Sequence, residues 1–377
     1  MDRKIKVLCI HPALAPYRLD FFNLLAERVD LEVAFVYRNS VNQKFDQEKL
    51  KSNAKFKYRY LAGFDVKGRA IRFGILRLLQ AFKPDAVLSY EASPITMWLC
   101  MLKLLRVGKW KIWTSMDEAP ETITSRKGIR AKVRNWVLRH CEGVMVPSDA
   151  AADAYRSVLI PHLSAIASAA ADPPSPKFAI VPIIHDTATI RKNAEAVIKA
   201  GKEWRNTSVP SAWGKVLLFV GRLAKVKNLH WLIEQMANLD EHIGLVLVGG
   251  GDEEDSLKSE VEELKLSQRV MFVGRKMGEE LYAIMSAADV LVLPSTFEPY
   301  GAVVPEAMQW GTPCLVSDKC GAAVLVDDGD NGKVFPCGDA DAFLLAINDI
   351  PQRRSCSILQ CNLNMSIDML VRQMIGQ

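Results

Sequence analysis

Glu298 and Glu306, with seven residues between them, sit in the segment STFEPYGAVVPEAM that runs from Ser295 to Met308. Carboxylates accept hydrogen bonds from hydroxyl groups, so such a pair suits the hydroxyls of a sugar and of a ribose. Gly301 between them lets the backbone approach a ligand closely. Pro305 fits the first turn of a helix, where its missing N–H would be unpaired anyway. The amides of Gly301, Ala302 and Val303 would then point outward at a helix N-terminus, a place that favours an anion such as phosphate. Two isolated glutamates at this spacing also read as a cap and a surface charge. Upstream, Arg222 and Lys227 in GRLAKVKN are either fixed cations for a phosphate or an exposed Arg and Lys at a strand end. Gly249, Gly250 and Gly251 suggest a phosphate loop, yet the spacing is not G-x-x-x-x-G-K-[ST], and a strand-to-helix turn explains three glycines equally well.

These residues need elements to hold them. Apolar runs at Val216–Val220, Gly244–Val248, Val270–Val273, Val290–Leu293 and Pro313–Val316 alternate with helical patterns. That alternation marks parallel strands buried on both faces. The loop Ser295–Gly301 then lies at the carboxyl end of a strand, where open α/β sheets bind ligands. The first half repeats the scheme with Ile5–Ile10, Leu31–Val36, Ala86–Leu88, Trp110–Trp113 and Gly143–Val146. The expected class is therefore α/β, with two doubly wound parallel-sheet domains. Boundaries are expected at 1–185, 186–355 and 356–377, the last a helix that packs back on the N-terminal domain. Residues 164–177, SAIASAAADPPSPK, read as a flexible excursion.

With these motifs in order, the chain resembles the retaining glycosyltransferases of family 4. The resemblance rests on FVGRLAKVKN, LVLVGGGDEE, VMFVGRKM, SAADVLVLPS, FEPYGAVVPEAMQWGTPCLVSDKCGAA and DGDNGKVF, dense from about Val216 to Ala346. It implies the GT-B fold, two Rossmann-like domains facing a central cleft, with the donor side in the C-terminal one. It also implies residue roles. Glu298 would hold hydroxyls of the transferred sugar, and Glu306 the ribose. Arg222 and Lys227 would lie over the diphosphate, next to Gly221. Arg275 and Lys276 fall in the loop near the nucleobase, and Tyr300, Gly301, Ala302 and Val303 complete the donor set.

The N-terminal half departs from the pattern. Its first strand leads into His11-Pro12-Ala13-Leu14-Ala15-Pro16-Tyr17-Arg18, with no glycine to approach a phosphate, which also counts against a nicotinamide-binding domain. Arg18 either replaces that contact through its side chain or is a first-turn surface residue. Met116 stands where relatives often place a histidine. Asp117 and Glu118 are then acceptor-side candidates, with Asp117 also counted among the catalytic residues, or simply a polar loop at a strand end. His11 and His185 carry no paired motif, and ordinary packing is the reading for both.

Charge divides the chain. Residues 1–180 hold 29 Lys and Arg against 17 Asp and Glu, a net of +12, while the remainder is at −7. The stretch from Lys103 through Lys111 and from Arg126 to Arg139 concentrates the excess, as a solvated face or as a surface for anionic lipid. No nucleic-acid motif accompanies it. The longest apolar candidate, Ser93–Leu105, is too short to span a membrane, and eight scattered cysteines without C-x-x-C spacing fit reduced thiols in a cytosolic protein.

The expected activity is transfer of a hexose-type residue from a nucleoside diphosphate sugar, as co-substrate, to a hydroxyl acceptor. The acceptor side reads as a glycan or a lipid-linked intermediate at the inner face of a membrane. No further cofactor is expected, and metal independence is the default, on the expectation that the chain has no Asp-x-Asp metal motif. A sugar-nucleotide epimerase or hydrolase, or a non-catalytic sugar-nucleotide-binding relative, remains as the alternative.

Overall fold

The computed structural model describes residues 3–39, 45–66, 69–166, 175–354, 357, 359 and 361–376. The chain divides into two units, Met1–Asp186 together with Asn362–Gln377, and Thr187–Cys361. Most of the Ala/Ser/Pro-rich excursion lies outside the described residues.

The first unit holds β1 (Lys6–His11), β2 (Asp30–Phe35), β3 (Lys57–Tyr60), β4 (Gly63–Val66), β5 (Arg69–Arg72), β6 (Ala86–Tyr90), β7 (Lys111–Ser115), β8 (Gly143–Val146) and β9 (Lys177–Ile180). Seven of these form a sheet in the order β3-β2-β1-β6-β7-β8-β9, every pair parallel. β4 and β5 form a separate antiparallel hairpin. The strands β1, β2, β6, β7 and β8 are short and mostly apolar because both faces are covered: Val7, Leu8, Ile10, Val33, Ala34, Phe35, Val87, Ile112 and Trp113 are all buried. A fully buried side chain of this kind stabilises the fold by roughly 1.5–3 kcal/mol.

The second unit repeats the plan with β10 (Lys215–Val220), β11 (Ile243–Val248), β12 (Val270–Gly274), β13 (Val290–Leu293), β14 (Cys314–Ser317) and β15 (Gly332–Phe335). Their order is β12-β11-β10-β13-β14-β15, all parallel. The order reverses between β10 and β13, and that switch point opens a crevice beyond the strand carboxyl ends. Arg222 and Glu298 follow these two strands.

The last helix, Leu363–Ile375, is capped by Asn362, whose side chain accepts from the Met365 amide. It belongs to the first unit and buries Leu363, Ile367, Leu370 and Met374. Arg28 of the helix Pro16–Arg28 donates to Asp368 at 2.5 Å and to Asn364 at 3.0 Å, and Lys111 donates to the Met374 carbonyl at 2.8 Å.

Candidate functional site

In the second unit, the loops after β10 and β13 are laced together. The Thr296 amide donates to the Val226 carbonyl at 2.9 Å, and that contact sets the helical turn Lys225–Lys227 beside Ser295–Gly301. Lys227 and Glu298 thereby meet as an ion pair, each side chain largely buried, with 14% and 16% exposure. Glu298 is held from behind: its amide donates to Lys319 at 3.0 Å, and its carbonyl accepts from Gly321 at 2.9 Å. Burial pushes the neighbouring Cys320 thiol up to about 12, so it stays protonated.

Gly301 has φ +92°, and a Cβ there would lie 2.8 Å from the Cys320 sulfur and 3.3 Å from Glu298 Cγ. A side chain would therefore crowd the glutamate. The helix Val303–Gln309 follows. Among the described residues, the amides of Gly301, Ala302 and Val303 donate to no protein acceptor, as the first N–H groups of a helix do. Glu306 sits half-buried in that helix, and Tyr300 is buried.

The remaining donor-side residues take different places. Arg222 is exposed and has no ion-pair partner among the described residues, which leaves its guanidinium available. Arg275 is exposed at the end of β12. Lys276 pairs with Glu280 one helical turn on, at 3.6 Å. The three glycines have a packing reason. A Cβ on Gly249 would fall 1.8 Å from the Gly221 carbonyl oxygen, and one on Gly251 2.2 Å from that of Leu223. Backbone bonds from Gly221 to Val248, Leu223 to Gly250 and Gly249 to Gly274 tie these loops together. The glycines serve loop-on-loop contact, and the turn reading accounts for them.

Asp-x-Asp spacing does occur, at Asp328–Asp330 and Asp339–Asp341, which corrects the expectation that the chain lacks it. Asp328 lies 3.2 Å from Lys333, and Asp330 is 2.5 Å from Arg354. Asp339 caps the helix Ala340–Asn348. No group of three or more His, Cys, Asp or Glu among the described residues is disposed to hold a metal ion.

In the first unit, Arg18 is 3% exposed and pairs with Asp117, so its reading as a surface residue is overturned. Arg18 lies in the first turn of the helix Pro16–Arg28 and reaches Asp117 in the loop after β7. Burial opposes the Arg18 charge, and Asp117 more than compensates, raising its pKa. Asp117 keeps 38% exposure and remains accessible. Glu118 is instead tied down by Arg126, by Arg134 at 3.8 Å and by the Tyr155 hydroxyl at 2.8 Å. Arg134 is buried and donates to the Ile123 carbonyl at 3.0 Å, which removes it from the basic surface. Met116 is buried. His11 packs edge-on against Phe22, and His185 bonds Asp20 at 2.9 Å.

Sequence reasoning missed Glu91. It follows β6 in the left-handed region, φ +46°, unusual for a side chain of its size. Together with Met116, Glu118, Arg126, Arg130 and Arg134 it lines a cavity of about 410 Å³. Partial burial, then Asp117 and Glu118, raise its carboxyl above the usual range, against the pull of Arg126. Only its position after a strand could have signalled it.

Residues 201–357 match the family model described as Glycosyl transferases group 1. The uncharacterized glycosyltransferase MJ1607 of Methanocaldococcus jannaschii is 38% identical over 120 residues, 31% of each chain. The lipopolysaccharide core biosynthesis glycosyltransferase LpsE of Rhizobium meliloti is 36% identical over 135 residues, 36% of this chain and 39% of that one. The matched stretch thus spans about a third of the length of these curated relatives. Among solved structures, Anabaena Alr3699/HepE in complex with UDP superposes with a TM-score of 0.67 at 18% identity, covering 98% of this chain and 95% of that one. A glycosyltransferase from Rickettsia africae gives 0.66 at 13% identity over the whole of both chains. At such identities the likeness establishes fold, and the fold is GT-B: two Rossmann-like, doubly wound parallel-sheet domains. Within it, residues 201–357 are the stretch similar to the group 1 glycosyl transferases.

Proposed function

We propose that this chain moves a hexose-type sugar from a nucleoside diphosphate sugar to a hydroxyl acceptor, with retention at the anomeric carbon. The observation that carries the reading is the Lys227–Glu298 pair at the switch point of the second sheet, one residue from each loop that flanks the crevice. Carboxylate and cation at one spot suit a ligand that presents hydroxyls beside phosphates.

In this reading Glu298 accepts hydrogen bonds from the transferred sugar, and Glu306 from the ribose. Lys227, the free Arg222 and the unpaired amides of Gly301–Val303 face the diphosphate. As the anomeric C–O bond breaks, its electron pair passes to the phosphate oxygen, and fixed donors that gain strength with that charge lower the barrier. The acceptor oxygen attacks from the face the diphosphate leaves, and a phosphate oxygen takes its proton. Arg18 and Asp117, with the cavity at Glu91, are the acceptor-side groups. No metal is assigned a part.

Alr3699/HepE was solved with UDP, with UDP and glucose, and with UDP-glucose, so UDP-hexoses are the first donors to test. The acceptor we assign is a lipid-linked or polysaccharide intermediate at the cytoplasmic face of a membrane. Exposed Leu104, Leu105 and Val107 among Lys103, Arg106 and Lys109 support an anionic lipid surface as neighbour. No helix among the described residues is long and apolar enough to cross a membrane.

The deciding experiment incubates the protein with labelled sugar nucleotides, with and without lipid acceptors. Acceptor-dependent product with retained anomeric configuration supports the transferase. Equal turnover without any acceptor returns the epimerase or hydrolase reading, and nucleotide binding without turnover returns the non-catalytic one.

A further inference from the structure

The first unit has a second cavity, of about 540 Å³, at the opposite end of its sheet from Glu91 and Asp117. Lys111 and Lys177 are the first residues of β7 and β9, and Glu142 immediately precedes β8, so this cavity lies at the strand amino ends. Its lining carries Lys103, Arg106, Lys111, Arg139 and Lys177 against one described acid, Glu142.

Some of this charge is spent within the protein. Lys103 pairs with Glu142, and Lys111 donates to the Met374 carbonyl at 2.8 Å, a contact that leaves its charge in place. Two helices, Pro94–Leu104 and Ile129–Arg139, end here. Each C-terminus contributes about half a negative charge, which offsets only part of the excess. Arg106 and Lys177 are exposed without an ion-pair partner among the described residues. Arg139 is more telling. Its Nε and Nη2 are shut off from water and have no acceptor among the described residues. An unmet buried donor costs roughly 1–3 kcal/mol, more when charged, so an anionic acceptor in the cavity that Arg139 lines, met by a small turn of its guanidinium, recovers that cost.

We propose that this cavity binds a phosphate-bearing ligand, whose oxygens accept from Arg139 and are surrounded by Lys103, Lys111 and Lys177. Phosphate fits because guanidinium N–H groups match its oxygens in pairs. The site is separate from the donor residues and does not depend on their assignment. A free phosphomonoester and a phospholipid headgroup share this chemistry, and the experiment distinguishes them.

Glycerol 3-phosphate is titrated calorimetrically into the full chain, and the protein is sedimented with phosphatidylcholine vesicles with and without phosphatidylglycerol. Arg139→Gln and Lys177→Gln are compared with Lys199→Gln, which removes an exposed cation of the second unit, outside both the cavity lining and the basic stretch of the first unit. Binding of at least one probe is expected. Arg139→Gln and Lys177→Gln should each weaken it about tenfold, and Lys199→Gln by less than about twofold. Binding of the soluble probe that the two cavity variants weaken assigns a free phosphate ligand, and the same loss seen with anionic vesicles alone assigns a headgroup; both support the site. Lys177 is exposed, so its variant carries the test if Arg139→Gln fails to fold. Binding of neither probe, parent-like binding by both Arg139→Gln and Lys177→Gln, or equal weakening by Lys199→Gln, overturns the proposal.

Discussion

Lys227 and Glu298 hold each other in place, so a change at either acts on both. Lys227→Ala should cost roughly 2–4 kcal/mol in kcat/KM, through the lost cation and through a freed Glu298. Arg222→Ala should cost a similar amount while leaving Glu298 in place. Near-normal turnover by both folded variants would remove them from the mechanism. The two glutamates should fail differently. Glu298→Gln is expected to lower turnover strongly while free nucleoside diphosphate still binds. Glu306→Gln should weaken that binding as well, because donor and product share the ribose; the loss is on the order of 1.5–3 kcal/mol. Calorimetric titration of both variants beside turnover assays checks this, and parent-like behaviour in both would sink the assignment. His11 predicts a pH effect. Burial, then Arg18, push its pKa down to about 3, with Asp117 and the Ala13 carbonyl pulling the other way. The unfolded chain takes up a proton near the ordinary value of about 6.5 while the folded chain does not. Stability contributed by neutral His11 is therefore full above that value and lost as pH falls toward 3. His11→Phe, which keeps the ring between Phe22 and Phe35, should flatten the acid side of melting temperature measured from pH 4 to 8.

At the level of elements, the donor-side loops are rigid where glycines let them touch. Gly251→Ala places a methyl 2.2 Å from the Leu223 carbonyl oxygen, a backbone atom that cannot swing aside, whereas at Gly250 the nearest atom is the Arg275 Nε at 3.3 Å. Gly251→Ala should therefore destabilise the fold by about 1–3 kcal/mol and weaken nucleotide binding, because it displaces the loop that carries Arg222. Gly250→Ala should be the milder change. Melting temperatures and nucleotide titrations of the pair test this; equal, small effects would mean that the loops are free to part.

At the scale of the molecule, the two units carry opposite charge, and each has its own core. The basic N-terminal excess is partly internal, since Arg134 is buried and Arg126 is paired. Arg106, Lys109, Arg130 and Lys132 remain exposed. Sedimentation with anionic vesicles should show salt-sensitive binding, because at about 0.15 M ionic strength the Debye length is already only about 8 Å. Equal, negligible binding to anionic and neutral vesicles would return these residues to a solvated face.

Much of the fold was legible in the residue pattern. Runs such as KVLLFV and IGLVLV have no polar face, which forces strands covered on both sides and hence parallel sheets. The spacing from Glu298 through Gly301 to Glu306 is local, so a strand, loop and helix suffice to place it. Contacts between segments far apart in sequence were not legible. Lys227 reaches Glu298 across 71 positions and Arg18 reaches Asp117 across 99, and no periodicity encodes such pairings. Glu91 and Arg139 stand out only once packing sets one on a strained backbone at a cavity and leaves two nitrogens of the other without an acceptor among the described residues. Sequence fixes which faces must be buried, because hydrophobic period is a local property. Which charges then meet, and which are left unmatched, is decided only when the sheets close and desolvate them together.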